Sequence, residues 1–465
     1  MTEKKNVFIV GLDDFNLAKL QRLPRAKQCN FYAALHTSEI RQVDAYDLRK
    51  LIDLAAERMS SFEGSVDAVA TYYDFPGSTL VPILAKRFGL PGPSLEAIIA
   101  CEHKYWSRLE QRKAIPDNIP AFHVFDPFDE HAAEKIDLLP PYWVKPVKSF
   151  RSFLAFKING PGQFADAMET VREHIDLMSE PFRWLMKEFG LPAEFADMKE
   201  TMIAEAPLSG SMCTLEGYAF EGKMVGYGIV DSVREPDRSS FARYEYPSSL
   251  PMEIQHRMID LARQAIAQIE LDNTAFNIEF FYDQTNDHVF LLEINPRLSQ
   301  DHSDVFEKVL GHSHLRVMLD LALGIKPAPF ERRGKHNIAA NVMLRVYEAG
   351  RVTRAPTSEA IEAVKSAGLA SEVKVHVEEG QELGSLKSQD SYSYELANLF
   401  IAGRDQLDIL EKYDKALELL SFEIQRGPER IAAPRPRLKF VWDGEHLPPE
   451  LEQLEPGEYL IETAP

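Results

Sequence analysis

The stretch FNIEFFYD-QTNDH-VFLLEINPR, residues 276–297, decides which fold this chain adopts. Its two arms, 276–283 and 289–297, are apolar and rich in β-prone residues, and the segment between them is polar. Two such arms around a short polar turn predict a β-hairpin. Because successive side chains of a strand point to opposite faces, one face of this hairpin is expected to be buried and the other polar.

Two carboxylates face each other on the polar side of this hairpin. A turn centred on Asn286 pairs Glu279 with Glu293. The same turn pairs Asn277 with Asn295 on that face. Carboxylates directly opposite each other destabilise a sheet unless a positive charge lies between them. Carboxylate and amide oxygens without Cys or His suit a hard ion such as Mg²⁺, held together with substrate phosphates. The alternative is the solvated face of an ordinary hairpin, and the pattern alone leaves both open.

The composition of the 465-residue chain is that of a globular protein, since 45% of its residues are hydrophobic and 27% are charged. Its length corresponds to about two to four domains. It has 72 Asp and Glu against 52 Lys and Arg, a formal net charge of -20. So acidic a surface repels phosphate backbones and anionic membranes, which argues against nucleic-acid and membrane partners. The cysteines lie far apart and no long apolar run occurs, so we expect a soluble, cytoplasmic protein.

Strand and helix patterns alternate in the first hundred residues. Val7–Val10 and Asp67–Tyr72 are short apolar runs that predict buried strands, with Gly11 ending the first one. Helical periodicity follows each run, and this alternation predicts a parallel sheet covered by helices. Further helices are expected from Cys101 to about Ala121 and from Glu169 to Lys187.

Four ordered motifs resemble those of one family. The hairpin motif, Asn277-x-Glu279 together with LEINPRL at 292–298, resembles the metal-binding hairpin of the ATP-grasp superfamily in its biotin-carboxylase-like branch. The other three resemble the approach to the first nucleotide lysine, the lid strand and the hinge strand, and they are GLPG at 89–92 leading to Lys104, WVKP at 143–146 and IAEAPL at 203–208. The resemblance covers about residues 1–425.

The resemblance implies an α/β fold, mixed α+β in parts. It is the ATP-grasp fold with an N-terminal doubly wound pre-ATP-grasp domain and a C-terminal mixed domain. The domain bounds that follow are 1–100 for the first domain, 101–330 for the ATP-grasp domain with its lid at about 142–208, 331–425 for the C-terminal domain, and 426–465 for a proline-rich tail.

The resemblance also implies ATP and Mg²⁺ as cofactors, with Mn²⁺ as the alternative ion. The implied metal ligands are Glu279, Glu293 and Asn295. The implied nucleotide contacts are Lys104, Lys145, Lys148, Ser149, Glu205, Ala206 and Leu208, and the implied catalytic residue is Arg297. In a protein of net charge -20, a site for ATP must gather its own cations, and these residues supply them.

The chain departs from the family pattern in several places. The loop 147–153 has no glycine where the family has a glycine-rich loop, so Lys148, Ser149, Arg151 and Ser152 would have to contact phosphate through side chains. Residues 181–199 resemble an insertion in the lid. The bicarbonate-handling histidine and lysine are missing from 239–247, and the carboxylation arginine is missing from 340–343, although Asp301-His302 resembles the family's acid–histidine pair.

The function that this resemblance implies is an ADP-forming carboxylate–amine ligase that works through an acyl phosphate on a small acid or amino acid. Its partners would be a small carboxylate and an amine, and an exposed helical face on the first domain would permit a homodimer. Arg243 and Arg345 are weaker candidates for holding a substrate carboxylate, and a surface ion pair is the favoured alternative for each. The alternatives are a bicarbonate-using carboxylase, a non-catalytic ATP-binding module, and a structural or interaction protein.

Overall fold

The structure is a computed structural model, and the residues that it describes fall in several stretches. These are 4–41, 46–149, 153–235, 240–386 and 393–426, together with the backbone of 429–432, 438–442 and 459–463.

The N-terminal residues form a parallel sheet, as predicted, and it has three strands. Its strands, in the order β2-β1-β3, are β1 Lys5–Leu12, β2 Cys29–His36 and β3 Ala68–Ala70. The helices of this region are α1 Asp14–Gln21, α2 Thr37–Arg41, α3 Leu48–Ser60, α4 Gly77–Phe88 and α5 Leu95–Glu102. Val7 to Val10 are fully buried, which is the pattern of a strand covered on both faces. The strand runs one residue past Gly11, whose φ of 91° only glycine adopts easily.

A second, four-stranded sheet has the order β4-β7-β5-β6. Its strands are β4 Phe122–Phe125, β5 Tyr142–Pro146, β6 Phe156–Ile158 and β7 Met202–Glu205. The helices around it are α6 Lys104–Ala114, α7 Ala132–Lys135, α8 Pro161–His174, α9 Asp176–Glu188 and α10 Ala193–Ala196. The helix expected over 169–187 is therefore not continuous. Helix α8 begins earlier than expected, at Pro161, and Ile175 separates it from α9.

The helix expected from Cys101 to about Ala121 is also interrupted. His103 lies between α5 and α6 with an extended backbone, and its Nδ1 accepts a hydrogen bond from the backbone N–H of Trp106 at 3.2 Å. This bond satisfies one of the free N–H groups at the start of α6. The break turns α6 so that Lys104 and Arg108 on it reach the hairpin.

A third sheet has eight strands, all antiparallel to their neighbours, in the order β12-β11-β8-β9-β10-β13-β16-β15. They are β8 Ser211–Phe220, β9 Lys223–Arg234, β10 Phe241–Tyr246, β11 Thr274–Asp283, β12 His288–Asn295, β13 Ile338–Val346, β15 Glu372–Val375 and β16 Tyr394–Gly403. The sheet is continuous from the hairpin, β11 and β12, into the C-terminal strands.

Helices cover this sheet, and short strands follow it. The helices are α11 Met252–Ile269, α12 Ser303–Leu310, α13 Leu315–Ala322, α14 Ser358–Ser366 and α15 Gln406–Leu419. The remaining strands are β14 Arg351–Arg354, β17 Glu423–Arg426, β18 Glu429–Ala432, β19 Leu438–Trp442 and β20 Tyr459–Thr463. Among the described residues, none of the helices combines the length and apolar character that spanning a bilayer requires.

The hairpin has the predicted register at its functional end. Glu279 pairs with Glu293, and Asn277 pairs with Asn295. Beyond this point Phe280 pairs with Leu291, so Leu292 is an extra residue in a β-bulge, and the turn is shorter than a turn centred on Asn286 would be. The bulge leaves the carbonyl of Leu292 outside the regular ladder, where it accepts a hydrogen bond from Arg108 at 2.5 Å.

Candidate active site

A cavity of about 1220 Å³ lies where the three sheets meet. Every described residue that the resemblance assigns to ATP, the metal or catalysis lies on its wall. These residues are Lys104, Lys145, Lys148, Ser149, Glu205, Ala206, Leu208, Glu279, Glu293, Asn295 and Arg297. They come from separate elements across two hundred residues of sequence, so the fold brings together what the motifs suggested separately.

The carboxylates of Glu279 and Glu293 face each other on this wall and differ in their charge environment. Burial, and then the neighbouring Glu293, raise the pKa of Glu279. Burial also opposes ionisation of Glu293, but Lys104 and Lys145 outweigh it and lower its pKa. The amide N–H of Asn295 donates to Asn277 at 3.0 Å, which turns the Asn295 side-chain oxygen away from that bond.

This set of oxygens fits a hard divalent ion. Two facing carboxylates, one with a raised pKa, mark a place where added positive charge stabilises the protein. The donors are two carboxylates and one amide, the kind of set that Mg²⁺ takes together with phosphate oxygens. The described part of the chain has no cluster of three or more His, Cys, Asp or Glu residues that could hold a metal ion.

Lys104 and Lys145 are held by carboxylates. Lys104 Nζ lies 2.6 Å from Oε1 of Glu293 and donates to the Ser149 carbonyl at 3.1 Å. Burial opposes the charged form of Lys104, but Glu293 outweighs it and raises the lysine pKa. Lys145 Nζ lies 2.6 Å from Oε2 of Glu205. Two ammonium groups thus border the carboxylate pair on one side of the cavity.

Glu205 is the last residue of the hinge strand, β7. It is 3% exposed, and its Oε1 accepts a hydrogen bond from Arg108 Nε at 2.6 Å. Burial opposes its ionisation, but Arg108 and Lys145 outweigh this and lower its pKa to about 2. After Glu205 the chain leaves the sheet, with the N–H of Ala206 donating to Ala121 at 2.9 Å, and Ala206 and Leu208 line the cavity.

Lys148 is buried, whereas a phosphate contact at the tip of a loop is expected to be exposed. Its Nζ lies 2.6 Å from Oε2 of Glu102, and both side chains are 3% exposed. The ammonium also lies over the rings of Phe75 and Phe182, 4.5 and 4.9 Å from their centroids. The predicted contacts Arg151 and Ser152 lie outside the described residues.

Arg297 ends the hairpin and contacts the N-terminal sheet. Its Nη2 lies 2.6 Å from Oδ2 of Asp74, the residue that follows β3 and Tyr73. Burial opposes ionisation of Asp74, but Arg297 and Lys148 lower its pKa to about 2. The arginine therefore lies between the hairpin and the carboxyl ends of the parallel strands.

The central part of the chain matches a known family. The ATP-grasp domain family matches residues 139–304, which include the lid strand, the hinge strand and the hairpin. This chain contains an ATP-grasp domain. None of the curated proteins matches the chain in sequence.

Solved structures extend the match to most of the chain. An L-amino acid ligase from Bacillus licheniformis has a TM-score of 0.70 at 17% identity, and the match covers 92% of this chain and 100% of the ligase. A carboxyaminoimidazole ribonucleotide synthase from Aspergillus clavatus, complexed with ATP, has a TM-score of 0.61 at 15% identity over 90% and 99%.

A third solved structure belongs to the biotin carboxylases. The biotin carboxylase domain of the Hydrogenobacter thermophilus 2-oxoglutarate carboxylase, in complex with MgADP, ADP and bicarbonate, has a TM-score of 0.59 at 15% identity over 92% of each chain. The predicted ATP-grasp fold is confirmed by these matches, and it is the fold of ligases and related ATP-using enzymes.

Around the ATP-grasp domain, the cavity wall contains residues that the motifs did not indicate. From the N-terminal sheet come Asp13, Thr37 and Asp74, each just after a parallel strand. The rule that ligands bind at the carboxyl ends of parallel strands is the signal that could have found them. From the C-terminal strands come Lys374, His376 and Glu395, for which the sequence shows no motif.

The two weaker arginine candidates have different positions relative to the ATP-grasp cavity. Arg243 is 2% exposed and its Nε donates to Glu245 at 2.9 Å, away from the cavity wall. Arg345 lies on the wall, where it donates to the Phe241 carbonyl at 3.0 Å and to Glu395 at 2.9 Å. Each arginine forms an ion pair, as the favoured alternative expected, but neither pair is on the surface: the first is buried in the sheet and the second lines the cavity.

Proposed function

We propose that this chain is an ATP-dependent, ADP-forming ligase that joins a small carboxylic acid to an amine through an acyl phosphate. The observation that supports it is the single cavity that combines the facing pair Glu279 and Glu293 with Lys104, Lys145 and Arg297. A triphosphate with a divalent ion needs this combination of acidic and basic groups. The similarity in fold to an L-amino acid ligase suggests the reaction class.

ATP is proposed to bind along the wall formed by the hinge strand and the lid strand. The backbone of Ala206 to Leu208 would contact the base, next to Glu205, because this segment has left the sheet ladder and lines the cavity. Lys104 and Lys145 would contact the phosphates. Lys148 and Ser149 remain proposed phosphate contacts.

Mg²⁺ is proposed to be held by Glu279, Glu293 and Asn295, with Mn²⁺ as the alternative ion. When bound, the ion neutralises charge that develops on the transferring phosphoryl group. The residues do the positioning: Lys104 keeps Glu293 ionised, and the Asn277 contact orients the Asn295 amide.

The chemistry needs little more than alignment and charge. The substrate carboxylate attacks the γ-phosphorus of ATP, the bond to the β-γ bridging oxygen breaks, and ADP leaves. The amine nitrogen then attacks the acyl carbon, a C–N bond forms, and inorganic phosphate leaves. Arg297, between the hairpin and the N-terminal sheet, would stabilise the negative charge on the acyl phosphate.

The acid and the amine are proposed to bind at the end of the cavity that the nucleotide leaves open. This end is lined by Asp13 and Thr37 from the N-terminal sheet and by Arg345 and Lys374 from the C-terminal strands. Charged groups of both signs border it, which suits small polar substrates.

A bicarbonate-using carboxylase is the second candidate function. It is favoured by the position of Asp301 and His302 on the cavity wall. Against it, the segment where the family has its carboxylation arginine contains Asn341, which is buried and bonded to the Asp301 carbonyl and to Asn398.

The deciding experiment measures ADP release from the purified protein with Mg-ATP. Pools of carboxylates and pools of amines are added separately and together, in bicarbonate-depleted buffer, and products are identified by mass spectrometry. We expect release that requires both an acid and an amine, with an amide product. Release that needs bicarbonate alone establishes the carboxylase, and ATP binding without any turnover establishes a non-catalytic module.

A further inference from the structure

Beyond Arg297 the chain forms a short 3-10 turn, Gln300–His302, along the cavity wall. His302 is 2% exposed, and its Nδ1 lies 2.8 Å from Oε1 of Glu216. Its Nε2 is buried and has no hydrogen-bond partner among the residues that the structure describes. A buried ring nitrogen without a partner is costly, and His302 is one of the residues that line the cavity, so the natural partner is a molecule bound there.

Glu216 fixes this histidine. It lies on β8 and is fully buried. Its Oε1 accepts the backbone N–H of Ser299 at 3.1 Å, and its Oε2 accepts the hydroxyl of Tyr227 at 3.4 Å. Because a carboxylate only accepts hydrogen bonds, the hydrogen of His302 lies on Nδ1 and the lone pair on Nε2.

A second histidine, His314, also lies beside Glu216. His314 Nδ1 lies 3.6 Å from Oε2 of Glu216, and its Nε2 lies 3.2 Å from the hydroxyl of Ser303. Burial lowers its pKa to about 4, although Glu216 acts in the opposite direction. His314 is therefore neutral at pH 7 with both ring nitrogens near a polar partner, whereas His302 keeps Nε2 for a ligand.

We propose that His302 Nε2 is the base that accepts a proton from the amine substrate, with Glu216 as its positioning residue. This assignment rests on the ligase function proposed above. At neutral pH the amine arrives as an ammonium ion, which has no lone pair for attack. One ammonium proton moves to Nε2, and Glu216 stabilises the resulting imidazolium.

The rest of the step balances without another reactant. The freed nitrogen lone pair attacks the acyl phosphate carbon, the C–N bond forms, and the C–O bond to phosphate breaks. A second nitrogen proton leaves with the inorganic phosphate. The titratable groups around His302 are Glu216 on β8, Tyr227 on β9, Tyr244 on β10, Asp301 beside it and His314 before α13. Burial raises the pKa of Tyr244 above its usual range, so it does not compete for the proton.

The test separates the two half-reactions with one acid substrate. Hydroxylamine is unprotonated at neutral pH and traps the acyl phosphate as a hydroxamate without a base, whereas an ordinary amine needs one. In His302→Asn we expect the ratio of amide to hydroxamate formation to fall about 100-fold. The matched control is His256→Asn, an exposed histidine on α11, which leaves the ratio unchanged.

Two further measurements separate a positioning role from a structural one. In Glu216→Gln the acidic limb of the kcat/KM profile for the amine should move to lower pH, because the imidazolium has lost its carboxylate. Added imidazole should restore amide formation in His302→Ala. Thermal unfolding checks that each variant folds.

If amide and hydroxamate formation fall equally in His302→Asn, or if neither falls, the ratio is unchanged. Either result overturns the base assignment while the ligase function stands. Wild-type protein that forms neither product overturns the ligase proposal itself, and the base assignment with it.

Discussion

Glu279 and Glu293 have the same side chain and opposite pKa shifts, because Lys104 forms an ion pair with Glu293, whereas Glu279 has no ion-pair partner among the described residues. The folded protein holds the Glu279 proton more tightly than the unfolded chain does. The metal-free protein therefore loses stability as the pH rises through the pKa of Glu279, and an ion bound at the proposed metal site would reverse this. Glu279 would thus link metal binding to stability.

Glu279→Gln should remove this loss. Above the pKa of Glu279 we expect the metal-free variant to exceed wild type in free energy of unfolding by about 0.5 kcal/mol, since a like-charge pair is gone. The difference should vanish at lower pH, and Mg-dependent ATP binding should be lost. Urea unfolding across pH measures the first effect and calorimetry the second. Glu253→Gln, on the exposed side of α11, should change neither; a variant that still binds Mg-ATP contradicts the metal assignment.

Arg108 offers a comparison between a buried and an exposed ion pair on one helix. Arg108→Met leaves Glu205 buried with Lys145 alone, which should cost about 3 kcal/mol at pH 7. Lys113→Met breaks the exposed pair with Glu110 on the same helix and should cost about 0.5 kcal/mol. The ion pairs of Glu205 lower its pKa. The stability that they contribute is therefore present at neutral pH and is lost as the pH falls from about 4.5 toward about 2. Unfolding midpoints at several pH values measure this, and equal costs for the two variants would refute it.

At the scale of elements, the segment after β5 is tied to the N-terminal helices. The buried pair of Lys148 and Glu102 joins this segment to α5. The backbone adds two contacts, because the Lys104 N–H donates to Val147 at 2.8 Å and the Lys104 ammonium contacts Ser149. The first residues of this glycine-free loop are thus held in place by one buried ion pair and two hydrogen bonds.

A double-mutant cycle should separate this tie from a phosphate contact. Lys148→Met leaves the Glu102 carboxylate buried without its ammonium and should cost about 3 kcal/mol. Lys148→Met with Glu102→Leu should recover about 2 kcal/mol of that cost. ATP affinity is measured on the same proteins. Affinity that stays low in the stable double variant supports the proposed phosphate contact, and affinity that returns with stability excludes it.

The alternation of side chains made the hairpin predictable from sequence, because pairing Glu279 with Glu293 follows from period two alone. The bulge at Leu292 was not predictable, since it is stabilised by Arg108, a residue 184 positions away. The break at His103 had a weaker signal, because histidine is not a typical N-cap. Asp74 had a positional signal only, and Glu216 had none, because its importance comes from His302 on another element.

At the scale of the whole molecule, ion pairs join segments that are distant in sequence. Lys19 pairs with Asp304 and Arg25 with Asp320, joining the N-terminal region to α12 and α13. Arg297 adds its contact with Asp74. A ligand in the cavity contacts all three sheets, so its binding energy should stabilise the protein as a unit.

Mg-ATP should therefore shift the unfolding transition. At about 100 times its dissociation constant we expect a gain of about 2.7 kcal/mol in the free energy of unfolding. Thermal unfolding with Mg-ATP, with ATP plus EDTA and with Mg²⁺ alone measures it, and only the first should give the full shift. Glu293→Gln should abolish the shift, and a shift that survives EDTA would argue against a metal-bound nucleotide.

The eight-stranded sheet also limits how this protein can be recombined with its relatives. Strand β10 is paired on both sides, with β9 and with β13, so a cut at the expected domain boundary near residue 330 would leave the β13 side of β10 unpaired. Such an edge invites aggregation. The longest run of paired residues here joins β13 to β16, so a chimera designed to change substrate range would exchange β13, β16 and β15 together, along with Lys374 and His376 on the cavity wall.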